Sequence, residues 1–122
     1  MSAVAVAMVD LETELKEIPE FGGAVARDPS APLAVLPAIV MGPPEMLWAT
    51  ACPGPNDIRL ILYVVVDADE RALERMWDLV PIVANWVEAN TDAVVVNPVS
   101  PGSYVSGTTE LPAYKITIEV PL

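Results

Sequence analysis

Two segments of the chain carry apolar residues at helical spacing. In residues 2–18 they recur every three or four positions, and acidic side chains fall largely between them. This spacing predicts an amphipathic helix over 2–18 that ends at Pro19. The predicted buried stripe consists of Val4, Ala7, Met8, Leu11, Leu15 and Ile18.

The second helical pattern follows Asp67 and ends at 90–91. Asp67 fits an N-cap and Glu70 lies three residues further, which is the spacing of a capping box. With Asp69 these carboxylates could also ligate a cation, but capping explains them without a ligand. Pro81 removes one helical hydrogen bond, so we expect it to kink the helix or divide it in two. The predicted buried stripe is Leu73, Met76, Trp77, Val80, Val83, Ala84 and Val87.

Several shorter stretches have the pattern of β-strands. Residues 58–66 are apolar on both faces from Leu60 onward, which predicts a central strand. Residues 37–41 and 46–50 predict two short strands, and 93–96 predicts another.

Residues 113–120 alternate strictly between apolar and polar side chains. Tyr114, Ile116, Ile118 and Val120 share one face of a strand, and Lys115, Thr117 and Glu119 share the other. We expect the apolar face to pack under the helices and the polar face to meet solvent, a lumen or a neighbour. The preceding Gly/Ser/Thr-rich residues 102–110 predict an exposed hairpin arm or loop. Such an arm either reaches an adjacent subunit or is merely mobile.

The order of these elements predicts one α+β domain over residues 1–122. We expect a mixed, mostly antiparallel sheet with two helices packed on one face and a C-terminal β-hairpin. The strand–helix–strand unit at 58–96 allows a parallel pairing with a right-handed crossover.

Charge and composition narrow the functional classes. The formal net charge is −11, and the six basic residues are spread singly along the chain. This balance argues against sequence-reading contacts to DNA phosphates. Apolar residues make up 53% and the mean hydropathy is +0.45. Either the core is large for the chain, or partner chains cover part of the apolar surface.

The sequence offers no set of catalytic residues. It has no histidine, and it lacks the glycine-rich phosphate-binding and nucleophile-elbow motifs. Its single cysteine, Cys52, has no candidate base nearby and suits a reducing compartment. We therefore predict that the chain is not an enzyme and uses no cofactor or metal. No apolar run reaches membrane-spanning length, and the N-terminus lacks a basic signal region.

Three tryptophans in a short chain could form an aromatic cage around a ligand, but the spacing of Trp77 and Trp86 argues against it. Trp77 and Trp86 are nine residues apart and fall on opposite sides of one helix. One is expected in the core, and the other at the surface or a neighbour. Trp48, close to Met46 and before a proline-rich loop, is the better interface candidate, with core burial as the alternative.

Three segments together resemble a known family. They are PAIVMGPPEMLW at 37–48, the long strand and D-x-D-E helix at 58–75, and the ending LPAYKITIEVPL at 111–122. Their order is similar to the tail terminator proteins of long-tailed bacteriophages that infect actinobacteria. The resemblance covers nearly the whole chain and lies in this order and in the ending.

The resemblance implies a virion structural protein at the head–tail junction, assembled in the host cytoplasm. Such proteins form a ring, usually a hexamer, that stops polymerisation of the tail tube and joins the tail to head-completion (stopper) proteins. DNA would pass through the lumen without sequence-specific binding. The candidate subunit or tube contacts are Met46, Trp48, Tyr104, Val105, Lys115 and Glu119. The alternatives are another neck protein such as the stopper, and a small α+β ligand-binding or regulatory domain.

Overall fold

The computed structural model describes residues 1–27, 29–30, 32–49, 51 and 53–122, with only the backbone of Asn97. Cys52, and Thr50 at the end of the predicted strand 46–50, lie outside the described residues. The elements are, in order, α1 (Ala3–Leu15), a 3₁₀ helix (Pro19–Phe21), β1 (Val25–Ala26), β2 (Ala38–Met41), β3 (Glu45–Leu47), β4 (Asp57–Val65), α2 (Ala72–Asn90), β5 (Val94–Ser106) and β6 (Thr109–Pro121).

The described strands form one mixed sheet in the order β1-β2-β4-β6-β5. Only β1 and β2 pair in parallel, and the other pairs are antiparallel. β6 pairs along the whole of β4, so β2 and β3 both lie against the other side of β4. As a result β3 and β5 are opposite edges of the sheet. The α+β class, the mostly antiparallel sheet and the C-terminal hairpin are confirmed.

The predicted parallel pairing around α2 does not form. β4 and β5 run in the same direction, but β6 lies between them and pairs with both. Nine successive residue pairs join β4 to β6, from Asp57 opposite Pro121 to Val65 opposite Ala113. This long register places Leu60, Leu62, Ile116 and Ile118 on one side of the sheet, where they build a continuous apolar surface.

Both helices pack on this side of the sheet, which we call the helix side. α1 contributes Val4, Leu11 and Leu15, and α2 contributes Val83 and Val87, to the same buried cluster. The α1 stripe is confirmed, although the helix ends at Leu15 and Ile18 is buried from the following turn. Ser2 Oγ caps the helix by accepting a hydrogen bond from the Ala5 amide at 3.1 Å.

The predicted capping box before α2 is wrong, because the helix begins at Ala72 and Arg71 is its N-cap. The Asp69 side chain instead accepts a hydrogen bond from the Arg71 amide at 2.9 Å, and its other oxygen pairs with Arg75. The Ala72 amide donates to the Asp69 carbonyl. These local bonds hold 67–71 as turns and delay the helix.

Pro81 lies inside one continuous helix, so the expected division into two helices does not occur. The helix ends at Asn90, as predicted. The predicted buried stripe is only partly correct. Met76, Val83 and Val87 are buried, but Leu73 and Trp77 are more than half exposed. The apolar stripe of α2 is wider than the face of the helix that packs on the sheet, so the side chains at one border of the stripe stay exposed.

The strand predicted at 93–96 continues to Ser106, so 102–110 is the end of an ordered hairpin rather than a loop. The pairing with β6 shifts register between Val96 and Ser100, and this irregularity accommodates Pro98. Pro101 is tolerated because β5 is an edge strand with a partner on one side only.

A second apolar cluster lies on the other side of the sheet, which we call the far side. Val40, Val65, Tyr104, Leu111 and Ala113 are buried there, and Leu33 and Leu36 pack on them from above. The segment 32–36 therefore covers the part of the far side nearest the hairpin tip. The Leu33 amide donates to Ser106 Oγ at 2.8 Å and fixes this segment to the hairpin.

Candidate functional site

Of the exposed large apolar side chains, five lie near two opposite edges of the sheet. Val94, on the far side of β5, and Val6 and Val35 are exposed outside these two groups. Met46 and Trp48, at the β3 edge, are 47% and 57% exposed, and we call them the β3-edge patch. Leu73, Trp77 and Val105 are 53%, 58% and 58% exposed, and we call them the β5-edge patch. Exposed apolar patches with aromatic residues are typical of interaction surfaces.

The β3-edge patch is set by a very short strand. Met46 stands opposite Ile58 of β4, so its side chain leans toward the helix side, beyond the reach of α1 and α2. Trp48 follows directly after β3. The Ala49 amide donates to Asn56 Oδ1 at 2.6 Å, which ties the chain after Trp48 to the start of β4. The exposed side chains are therefore carried on a fixed backbone.

The β5-edge patch joins α2 to the edge strand. Trp77 Nε1 donates a hydrogen bond to the Tyr114 hydroxyl at 3.1 Å, and Tyr114 stands opposite Pro101 of β5. Val105 lies on the helix side of β5, because Tyr104 next to it points to the far side. The tryptophan is thus held in place by its polar atom while its ring stays exposed.

The backbone of the β5 edge is poorly suited to pairing with another strand. The Val95 amide donates to Glu88 Oε2 of α2 at 3.3 Å, so it is already used. Pro98 and Pro101 have no amide hydrogen to give. These features hinder strand addition along the part of β5 between Val95 and Pro101.

The far side below segment 32–36 is uncovered and partly polar. Arg59 on β4 and Glu119 on β6 stand opposite each other, and Arg59 Nε donates to Glu119 Oε1 at 2.9 Å. This hydrogen bond raises the pKa of the Arg59 guanidinium above its ordinary value. A depression of about 450 Å³ lies beside the pair, between Gly42 and Thr117. Both of its walls are parts of the open sheet, so it is a shallow surface.

The six sequence candidates fall in three places. Met46, Trp48 and Val105 are exposed at the sheet edges, and Lys115 and Glu119 lie on the far side, away from the helices as expected. Tyr104 is a correction, because its ring is buried against Tyr63 and its hydroxyl donates to the Pro29 carbonyl at 2.6 Å. The hydroxyl finds a backbone acceptor inside the chain, so the residue secures the covering segment instead of offering an exposed contact.

Leu73 was missed as a surface candidate. Trp77 was placed on the buried stripe, but of the Trp77–Trp86 pair it is the one at the surface and Trp86 packs against the core, as the spacing predicted for one of each. The helical phase of Leu73 and Trp77 places them on the stripe with Met76 and Val80, and the sequence cannot tell how wide a stripe the sheet covers. A usable signal was present: Glu74 and Asp78 follow them directly, so this flank of the helix borders solvent.

An acidic group lies between α1 and the start of β5. Asp10, Glu14 and Asp92 line a small depression there. Partial burial raises the pKa of the Glu14 carboxyl, and the neighbouring charges of Asp10, Glu17 and Asp92 raise it further. Within the described residues, no group of three or more cysteines and carboxylates is placed to hold a metal ion.

Comparison of the chain with protein families, curated proteins and solved structures finds no match. None of the helices in the described part of the chain is long and apolar enough to cross a membrane. The role of the two edge patches and of the uncovered far side is therefore inferred from the side chains that form them.

Proposed function

We propose that this chain is a tail terminator of a long-tailed bacteriophage, a virion structural protein that forms a ring at the head-proximal end of the tail. In this function the ring stops polymerisation of the tail tube and presents its other face to head-completion proteins. The proposal rests on the resemblance of segments 37–48, 58–75 and 111–122 to that family, together with the surface of the fold.

One observation carries the proposal furthest: exposed tryptophans lie at two opposite edges of one sheet, Trp48 at β3 and Trp77 beside β5. A subunit with two different apolar contact surfaces can bind its neighbours head to tail. Such contacts form a closed ring when the rotation that relates one subunit to the next closes on itself. An enzyme or a ligand-binding domain would instead present a concave pocket with convergent polar groups. In the described part of the chain, the depressions beside Arg59 and below segment 32–36, of about 450 Å³ and 330 Å³, are open to solvent.

The acidity of the chain supports the same function. With a net charge of −11, a ring of several copies carries a strongly negative field. DNA passing through its lumen would be repelled from the wall, which favours sliding over binding. The proposed partners are therefore other copies of the chain, the tail-tube protein and a stopper protein, with DNA as cargo.

A second neck function shares most of these features. A stopper protein also assembles at the head–tail junction, and its exposed edges would serve the same purpose. The two functions differ in the partner that is recognised first: a terminator binds the end of a tail tube, and a stopper binds a DNA-filled head.

The test combines assembly with partner choice. Light scattering and negative-stain microscopy of the purified chain are expected to show rings, at high protein concentration or after addition of tail tubes from the encoding phage. Co-sedimentation with purified tubes and with filled heads then separates the two neck functions. A chain that stays monomeric and binds neither structure would refute the proposal.

A further inference from the structure

The two edge patches are similar in size and chemistry, although they come from different parts of the chain. The β3-edge patch holds one tryptophan and one methionine, and the β5-edge patch holds one tryptophan, one leucine and one valine. The other large side chains of the helix-side cluster are buried or partly buried between the helices and the sheet, and the patch residues stay exposed outside it. Tryptophan and methionine are enriched at interfaces, and tryptophan often dominates their energy.

We propose that the β3-edge patch of one copy packs against the β5-edge patch of the next copy, through side chains rather than strand pairing. This inference deepens the proposed ring function and rests on it. Trp48 and Met46 of one copy would meet Trp77 and Leu73 of its neighbour.

If each copy of the chain binds the next, a single type of interface covers both patches. The patches lie at opposite edges of the sheet, so a two-fold contact between like edges would leave the other patch exposed in each dimer. A head-to-tail contact repeated around a ring buries both in every subunit.

The exposed apolar area of the two patches amounts to the centre of an interface, not to a whole one. A tryptophan buries roughly 150–250 Å² when fully covered, so each half-exposed ring offers about 100 Å². Two tryptophans and their aliphatic neighbours then supply about 400 Å² of apolar surface, against the roughly 1,200–2,000 Å² that a stable interface buries in total. An apolar area of this size would form the centre of an interface, and polar side chains would form its rim.

The charged side chains next to the patch residues in the sequence are acidic on both sides, and Arg59 of β4 stands opposite one of them, Glu45. Glu45 stands next to Met46, and Glu74 and Asp78 stand next to Leu73 and Trp77. Like charges at the rim weaken association at low ionic strength, and salt screens them. The apolar centre therefore has to supply the attraction. Strand pairing is also hindered at the β5 edge near Val95, Pro98 and Pro101, because the Val95 amide is already bonded and the two prolines have no amide hydrogen.

The variants Trp48→Ala and Trp77→Ala test each patch separately. We expect each to raise the dissociation constant for self-association at least about tenfold, measured by sedimentation velocity. Val35→Ala is the control, because Val35 is 63% exposed and belongs to neither patch. Leu73→Ser repeats the β5-edge test without disturbing the hydrogen bond from Trp77 to Tyr114. Circular dichroism checks that each variant is folded.

Mixing the two tryptophan variants distinguishes head-to-tail contacts from like-edge contacts. Trp48→Ala keeps an intact β5 edge, and Trp77→Ala keeps an intact β3 edge. Their mixture is expected to form heterodimers that cannot extend, whereas neither variant associates alone at the same concentration. Normal assembly of both single variants, or a mixture that remains monomeric, overturns the inference.

Failure of this inference and failure of the proposed function give different results. Wild-type rings that persist in Trp48→Ala and Trp77→Ala overturn the edge contact and leave the terminator function standing. Rings that depend on both tryptophans but bind neither tail tubes nor heads support the edge contact and refute the function. If the wild type is monomeric in solution, wild type and variants are compared on tail tubes. Rings that form there with the wild type but not with the variants support the edge contact, and rings that also form with the variants, or no wild-type rings at all, overturn it.

Discussion

Arg59 and Glu119 form an ion pair across β4 and β6, on the side of the sheet that neither helix covers. Their side chains stand opposite each other in the register and remain partly exposed. Exposed ion pairs contribute little to folding. The pair therefore fixes the positions of two charges on the exposed far side and adds little to the stability of the domain.

Replacing Glu119 by Gln is expected to leave the fold intact. The variant should unfold at nearly the wild-type urea concentration, because the lost interaction is screened by solvent. Lys115→Gln should behave in the same way, since Lys115 lies on the same open side. If the far side contacts a partner in the assembled ring, both variants will change assembly by sedimentation velocity without changing stability. A large loss of stability in either variant would contradict this assignment.

The apolar face of β6 should respond very differently. Ile118 is fully buried opposite Leu60, in the cluster shared with both helices. Ile118→Ala is expected to lower the free energy of unfolding by about 2–5 kcal/mol, and Ile118→Val by about 0.5–1.5 kcal/mol. Ile118→Asp should prevent folding, because the charge has no partner in the core. Urea denaturation followed by circular dichroism measures all three, with Glu119→Gln on the adjacent position as the control.

Tyr104→Phe tests the attachment of the covering segment. The substitution keeps the ring against Tyr63 and removes the hydrogen bond to the Pro29 carbonyl. We expect a loss of about 1 kcal/mol in the free energy of unfolding. Hydrogen exchange should increase at Leu33, whose amide is bonded to Ser106 Oγ. Unchanged exchange at Leu33 would show that the segment is held without the hydrogen bond from Tyr104 to Pro29.

Glu14 gives the chain a specific pH dependence. Its pKa is raised in the folded state, so the folded protein binds more protons at Glu14 than the unfolded chain as the pH falls. The ionised carboxylate therefore costs stability at neutral pH, and this cost disappears as the pH falls through the raised pKa. Glu14→Gln should be more stable than wild type at pH 7 and lose that advantage near pH 4. Glu20→Gln, at an exposed position, is the control and should show no comparable change.

Salt should promote self-association. The chain carries a net charge of −11, and acidic side chains border both edge patches. Raising the NaCl concentration from about 0.01 M to 1 M shortens the Debye length from about 30 Å to about 3 Å, which removes most of the repulsion between copies. Light scattering at constant protein concentration should show larger particles in high salt. Dissociation by salt would instead indicate that ion pairs hold the copies together.

Local pattern determined much of this fold. The strict alternation of 113–120 and the three-and-four spacing of α1 both specify which side chains turn inward. The structure buries most of them and leaves Tyr114, Val120, Ala7 and Met8 partly buried. Such periodicities work because one buried face is enough to fix the orientation of a strand or a helix. They also placed Lys115 and Glu119 on the side away from the helices.

Only the tertiary structure decided which elements pack against each other, and therefore which side chains are buried. Tyr104 was assigned to an exposed arm because its neighbours are Gly, Ser and Thr, but a distant segment folds over it and buries it. Trp77 was assigned to the core because of its helical phase, but the sheet is too narrow to cover that flank of α2. Burial depends on elements that are far apart in the sequence, and a local pattern carries no information about their width or order. The sequence determined the faces of each element, and only the packing of β6 between β4 and β5 decided which of those faces remained at the surface.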